Sequence, residues 1–388
     1  MSVTFPPGFV ASGVASGIKP TGDLDLALVA TVDGRPVSAA AVFTTNKAQA
    51  APVLVTRAHL GATAGRAGAV VLNSGCANAA TGAPGQSDAI EMCSLVASHL
   101  GCEVDEVLVC STGLIGYRLA MEPIRAAAGS LVANRSAQNS SDAARAILTT
   151  DSVAKEVSIT GPGGFRVGAM AKGAAMLAPE MATMLAVITT DALVDPAQLR
   201  SMLVDAVAGS FNSLLVDGAT STNDTVIALA SGLFGPVQPS VLAPVLAEAC
   251  ASLAAMMAAD AEGATKVAII RVHGAADDAE ARRAARAVAS SQLVQCSLYG
   301  ADPYWGRVVS ELGSAGVEFD PDLVSVAYGD VVVCDRGVAT AHDRGRVAEH
   351  MAARHVAVTA DLGLGPGRAA VTTTDLSPAY IAENMRTS

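Results

Sequence analysis

The apolar residues of this chain come in short runs of Val, Leu and Ala that Gly and Asp keep interrupting, and no other feature restricts the fold as much. Runs of that length suit buried strands or helices with one buried face. Residues 24–43, LDLALVATVDGRPVSAAAVF, predict two strands joined by a short hairpin at Asp33-Gly34. KEVSITGPGGFRVGAMAKG predicts a long hairpin turning at GPGG, and the region around GLGPG predicts a last one. EVLVCSTGLIG reads as a strand entering a turn at Ser111-Thr112-Gly113, and ATMLAVITTD as a buried strand. SDAIEMCSLVASHLG predicts a helix capped by Ser87 or Asp88 and stopped at Gly101. Further helices are predicted around Met121–Asn134, Ser141–Leu148, Val241–Ala259 and Ala279–Ser290, and from the Asp195 cap with Pro196 in the first turn. Helices and hairpins thus interleave without the regular spacing of a doubly wound sheet. The fold class predicted is α/β in the α+β sense, with layered, largely antiparallel sheets flanked by helices. The composition breaks best near GPGG or just after ITTDA.

Composition narrows what such a fold does. With 36 glycines and only 3% aromatic residues in 388, the core must be built from small side chains. The 25 basic and 36 acidic residues leave a formal charge of −11, which argues against nucleic acid as a partner. Seven scattered cysteines without a C-x-x-C pair predict reduced, mostly buried thiols in the cytoplasm and no metal site. No continuous apolar run reaches the about 18 residues of a membrane span, so no membrane partner is expected. A mean hydropathy of +0.42 with so little charge predicts apolar surface covered by a homo-oligomer interface.

Candidate chemistry is sparse. TTD occurs at 149–151, 189–191 and 373–375, read as β-branched strand ends followed by a capping Asp. Threonine hydroxyls there are nevertheless well placed to hold a ligand. The histidines form neither H-E-x-x-H nor a partner for G-x-S-x-G, and Gly363-x-Gly365-x-Gly367 lies between strands, as a hairpin turn would, rather than opening a helix. No cofactor is implied, so an enzyme here must use side-chain, backbone or terminal groups. One stretch stands apart, Ala169–Ala192, where Lys172 sits in an otherwise apolar setting before a proline-containing turn and Ala182-Thr183. A lone Lys or Thr is ordinarily structural. A Thr at the end of a strained turn can also attack its preceding carbonyl, and hydrolysis of the ester then frees an N-terminal threonine. Its α-amine, with a reference pKa of about 7.7–8.0, can serve as base for its own hydroxyl. Lys172 could lower that pKa by like-charge repulsion or pair with a substrate carboxylate, and spacing leaves both open.

MAKGAAMLAPEMATML, with its Ala182-Thr183 junction, resembles the processing site of the ornithine acetyltransferase (glutamate N-acetyltransferase) family. In order along the chain, NSGCANA, CSTGLIG, LTTDS, DGATSTNDT, DAEGATK, DPYWGR and the ending AYIAENMRTS resemble the same family. The resemblance implies the layered fold of the self-processing aminopeptidases with a smaller C-terminal α/β part. It implies self-cleavage between Ala182 and Thr183 into chains 1–182 and 183–388, which stay together as an α2β2 heterotetramer. Thr183 becomes the nucleophile, while Thr112 and Gly113 match the oxyanion pair. Thr149, Lys172, Thr183, Glu262 and Asn384 match substrate contacts, as does one residue of the tail, Thr387 or Ser388, with Ser388 the choice made here. The implied reaction moves acetyl from N2-acetyl-L-ornithine to L-glutamate through an acetyl-Thr183 intermediate, without metal or organic cofactor. Acetyl-CoA is a second donor if the enzyme is bifunctional. The alternatives are a related N-terminal-nucleophile aminopeptidase or amidohydrolase, and an uncleaved protein that only binds.

Overall fold

The computed structural model describes residues 2–176 and 184–385. They form two compact units, one built on Met1–Asn212 and Ala219–Met257, the other on Ser213–Gly218 and Ala258–Thr387.

The first unit holds two sheets. In one, β1 (Phe9–Val14), β2 (Leu26–Thr31), β5 (Ala69–Cys76) and β6 (Val107–Leu114) lie in that order. In the other the order is β4 (Arg66–Ala67), β3 (Val37–Phe43), β11 (Thr225–Pro236), β9 (Leu185–Leu193), β8 (Arg166–Lys172) and β7 (Lys155–Thr160). Side chains of a strand alternate between faces, and this explains the layering. Ala27 and Val29 of β2 join Leu72, Leu108, Met170, Val187, Ile227 and Leu229 in a core shared by both sheets. Leu26, Leu28 and Ala30 point the other way, into a second core with Met92 and Val96 of the helix Gly82–Leu100 and Ile124 and Leu131 of the helix Met121–Ala133. All six residues of β2 are therefore buried. The helix Pro196–Ala208 packs against β3 and is N-capped, as predicted, by Asp195, whose carboxylate accepts from the Ala197 N–H at 2.8 Å.

The second unit contains one sheet in the order β10 (Leu214–Leu215), β17 (Gly367–Thr374), β12 (Val267–Ala275), β16 (His355–Asp361), β13 (Ser325–Tyr328), β14 (Val331–Asp335) and β15 (Val338–Ala339). Its core pairs Ile270, Val272, Val356 and Val358 of that sheet with Ala281, Ala285 and Val288 of the helix Asp278–Ser290. Four strand pairings among the described residues are parallel and the other ten antiparallel, so the mixed, largely antiparallel class holds.

Several local expectations are corrected. The strands around Asp33-Gly34 exist but form no hairpin, because β2 pairs with β1 and β5 while β3 pairs with β4 and β11. A turn dipeptide fixes a bend, not the neighbour a strand takes, and this bend carries the chain between two layers. The GLGPG segment likewise closes no hairpin, since β12 lies between β16 and β17. Its glycines answer a different need: a Cβ on Gly367 would lie 2.2 Å from the Asp277 carbonyl oxygen. The helix expected from Ser87 begins earlier, at Gly82, and ends at Gly101 in the left-handed conformation as predicted. Neither proposed composition break divides the chain: GPGG turns the β7–β8 hairpin, and the residues after ITTDA continue β9.

The helix Pro239–Ala259 is long and apolar enough by length and composition to cross a membrane, although no uninterrupted apolar run of that length was found in the sequence. Leu242, Leu246, Cys250, Leu253 and Met257 make a buried face on it, and Glu248 is exposed. All seven cysteines are free and five are buried, in line with the reading of reduced thiols.

Candidate active site

Everything that distinguishes the proposed site in the first unit converges on the start of β9. Ala182, Thr183, Thr387 and Ser388 lie outside the described residues, but Met184 and Leu185 fix where the strand emerges. Leu185 is paired on one side with Lys172, the last residue of β8, and on the other with Thr225, the first of β11.

The β8 flank is ionic. The Lys172 ammonium donates to the Thr149 hydroxyl at 2.6 Å and lies 3.5 Å from the Asp151 carboxylate. Asp151 also holds the Lys155 ammonium at 2.7 Å and accepts from the Gly173 N–H at 2.6 Å. The side chains of Asp151 and Lys155 are completely buried and that of Lys172 nearly so, whereas Thr149 reaches the surface. Burial opposes ionisation of Asp151, but the Lys172 and Lys155 charges outweigh it and hold its pKa at about 2. The apolar setting read for Lys172 is thus corrected: its strand is apolar, while its ammonium sits in a polar knot. An ammonium has three N–H donors, and among the described residues Thr149 and Asp151 account for two of them.

Thr112 and Gly113 lie in β6, which runs straight through the segment where a turn was expected. The distortion there is a register slip against β5, where Cys76 faces both Thr112 and Leu114. Such a slip withdraws backbone groups from the ladder and makes them available to a ligand. Gly113 has φ of +129°, and a Cβ on it would lie 2.3 Å from the Gly75 carbonyl carbon, so only glycine fits.

The 221–225 segment ties these parts together. The Asn223 side-chain amide donates to the carbonyls of Ala77 (2.6 Å) and Ser111 (2.8 Å), fastening β11's approach to the strand that carries Thr112. Asp224 accepts from the Met184 N–H at 2.9 Å, and the Thr225 N–H donates to the Met184 carbonyl. Burial pushes the Asp224 carboxyl well above the usual range, against the pull of the Met184 amide, the Ser221 side chain and the Lys172 charge. Three buried side-chain atoms among the described residues have no hydrogen-bond partner: Asn73 Oδ1, Ser111 Oγ and Asp224 Oδ2. Orphaned buried groups are rare and cost about 1–3 kcal/mol each. All three belong to this locality, since Asn73 is the register partner of Ser111 and Asn223 links Ser111 to Asp224.

In the second unit Glu262 and Asn384 meet, the Asn384 amide donating to the Glu262 carboxylate at 2.9 Å. Beside them the Tyr380 hydroxyl is bonded to Asp217, and burial raises its pKa. The other TTD aspartates are structural, as read: Asp191 accepts from the Arg166 N–H and Asp375 from the Thr265 and Lys266 N–H groups. Asp151 also anchors backbone, at the Gly173 N–H, but meets Lys155 and Lys172 as well, and with Lys155, Asn223 and Asp224 it makes up what the reading of single residues missed. LTTDS and DGATSTNDT contain three of these four, yet nothing in either text says that the polar atoms end up buried. A groove of about 760 Å³ lies elsewhere, along β3 with Arg57 and Arg200, and no motif residue lines it.

Among curated relatives, the chain is 47% identical over 391 residues to the arginine biosynthesis bifunctional protein ArgJ of Mycolicibacterium paratuberculosis, covering 98% of this chain and 95% of that one. It is 46% identical to the protein of that name from Thermobifida fusca, with 99% of each chain covered. A solved structure of ornithine acetyltransferase complexed with ornithine, from Mycobacterium tuberculosis, is 45% identical over 46% of this chain and 94% of that chain, with a TM-score of 0.44. The sequence matches the ArgJ family over residues 10–387, and the chain belongs to that family.

Proposed function

We propose that this protein transfers the acetyl group of N2-acetyl-L-ornithine to L-glutamate through an acetyl-Thr183 intermediate, after cutting itself between Ala182 and Thr183. The observation that carries the reading is the emergence of β9 next to Thr183 between the Lys172 knot and the Asn223-Asp224 clamp that reaches the Thr112-Gly113 strand. Cleavage frees the Thr183 amine, which takes the proton of its own hydroxyl as the hydroxyl attacks the acetyl carbonyl. The developing oxyanion is met by Thr112 and the Gly113 backbone, in a strand whose geometry is set before substrate arrives. Ornithine leaves with the proton, and glutamate's amine then attacks the acetyl ester, giving up a proton to the Thr183 amine, which returns it to the Thr183 oxygen as the ester bond breaks and N-acetylglutamate leaves.

Lys172 brings a nearly buried ammonium to the exposed Thr149 hydroxyl, a charged donor that favours an anionic guest. The substrate α-carboxylate meets the Lys172 ammonium, beside Thr149. Glu262, with Asn384, receives the ornithine ammonium, and Ser388 contributes from the tail. Cleavage would give chains 1–182 and 183–388, and β9 supports their staying together, because it would remain hydrogen-bonded to β8 of the other fragment. An α2β2 assembly in the cytoplasm completes the reading. That the relatives are named bifunctional favours acetyl-CoA as a second donor.

Mass spectrometry of the purified protein should show two fragments, and Thr183→Ala should abolish both cleavage and ornithine release. A cleaved Thr183→Ala chain would sink the mechanism. Ornithine release from acetylornithine at one rate with or without glutamate would favour the hydrolase, and acetylglutamate formed from acetyl-CoA would establish the second donor.

A further inference from the structure

Apart from the catalytic and substrate-contact residues that the family resemblance implies, the most unusual group in the first unit is the Asp224 carboxyl. It is fully buried, no cation pairs with it among the described residues, and one of its oxygens lacks any hydrogen bond. A buried carboxyl in that state is expensive, so a fold retains it only where it does something an apolar side chain cannot. What it does is visible in its other oxygen, which accepts the Met184 N–H at 2.9 Å. Its neighbour Thr225 donates to the Met184 carbonyl, so both polar groups of the residue after Thr183 are held from one point. That point is itself fixed. The Asp224 carbonyl accepts from the Thr44 N–H, and Asn223 grips the carbonyls of Ala77 and Ser111 beside Thr112.

We infer that Asp224 is a positioning residue for the nucleophile: with its side chain on the Met184 amide it sets the place of Thr183 relative to the Thr112-Gly113 strand, for self-cleavage and for turnover alike. The inference rests on the reading of Thr183 as nucleophile. Burial disfavours the charged form of Asp224, and acceptance of the Met184 N–H needs only an oxygen, not a charge. In this role the group exchanges no proton with substrate.

The test uses the full-length chain and two readouts, the rate at which fragments 1–182 and 183–388 form and the steady-state kinetics of ornithine release with glutamate as acceptor. Asp224→Ala should slow cleavage about tenfold or more and, once cleaved, lower kcat about tenfold while the KM for acetylornithine stays within about twofold, the pattern of a misplaced nucleophile rather than lost binding. Asp224→Asn keeps an oxygen within reach of Met184 and should recover most of both rates, with the pH profile of kcat unshifted. Should Asp224→Ala not accumulate as folded protein, Asp224→Ser, which keeps a polar atom but cannot reach Met184, takes its place with the same expectation. Wild-type cleavage and kcat in Asp224→Ala, a rise in KM alone, or an Asp224→Asn chain as impaired as Asp224→Ala would each overturn the inference. Failure of the underlying reading looks different, because the wild-type chain itself would then not be cut before Thr183.

Discussion

The two flanks of β9 hold a buried aspartate each, and they solve the problem of burial in opposite ways. Asp151 keeps its charge because two ammoniums surround it, while Asp224 has no ammonium within pairing distance among the described residues, only the Met184 amide and the Ser221 side chain, and a pKa driven up by burial. Lys172 adds to the contrast, lying 3.5 Å from Asp151 and acting on Asp224 only as the weakest influence, behind burial, the Met184 amide and the Ser221 side chain. The difference teaches that a buried carboxyl beside a reacting residue can be an anchor for charge or an anchor for backbone, and the protonation state tells which.

The largest effect should come from breaking the charged flank. Asp151→Ala takes the carboxylate away from two buried ammoniums and should cost about 3–5 kcal/mol of stability in denaturant unfolding. Asp224→Ala strands no charge and should cost clearly less, and equal losses would erase the distinction. Next is the strand that both flanks serve: Gly113→Ala drives a Cβ into the Gly75 backbone and should lower kcat about 100-fold or more, measured as acetylornithine-dependent ornithine release. A near-normal kcat would remove Gly113 from the oxyanion role.

The smallest effects are in the pH dependence of unfolding, and there the two aspartates have opposite signs. The folded-state pKa of Asp151 is depressed, so its contribution of about 2 kcal/mol is complete above the unfolded value and lost as pH falls from about 4 to about 2. Asp224 is raised, so the folded chain holds a proton the unfolded chain has given up, and its effect is a loss of stability as pH rises above about 4. Asp224→Asn should therefore gain on the wild type between acid and neutral pH, and a parallel course would show that Asp224 ionises freely.

Much of this was written in the chain. Asp195 and Pro196 start their helix where placed, the GPGG hairpin turns where expected, and the ordered motifs lead to the family. These are local or cumulative properties, and a sequence carries them directly. The hairpins at Asp33-Gly34 and GLGPG failed for one shared reason: strand existence is local, but strand partnership is decided by which layer buries each face. The Ser111–Gly113 turn failed similarly, because its glycine answers a close approach from β5 that lies far away in sequence.

For the site, the sequence by itself determined which residue types are available: a threonine after a small residue, a lysine just before it, a Thr-Gly at a strand end. It also determined the family, through motifs too numerous and too well ordered to coincide. Only the tertiary structure decided that Lys172 shares its charge with Asp151 and Lys155, that Asn223 ties the two sheets at Ser111, and that Asp224 lies against Met184. Each of these depends on a side chain being removed from water and left with few partners. Burial is a property of the packed layers, and no residue carries it in its own identity.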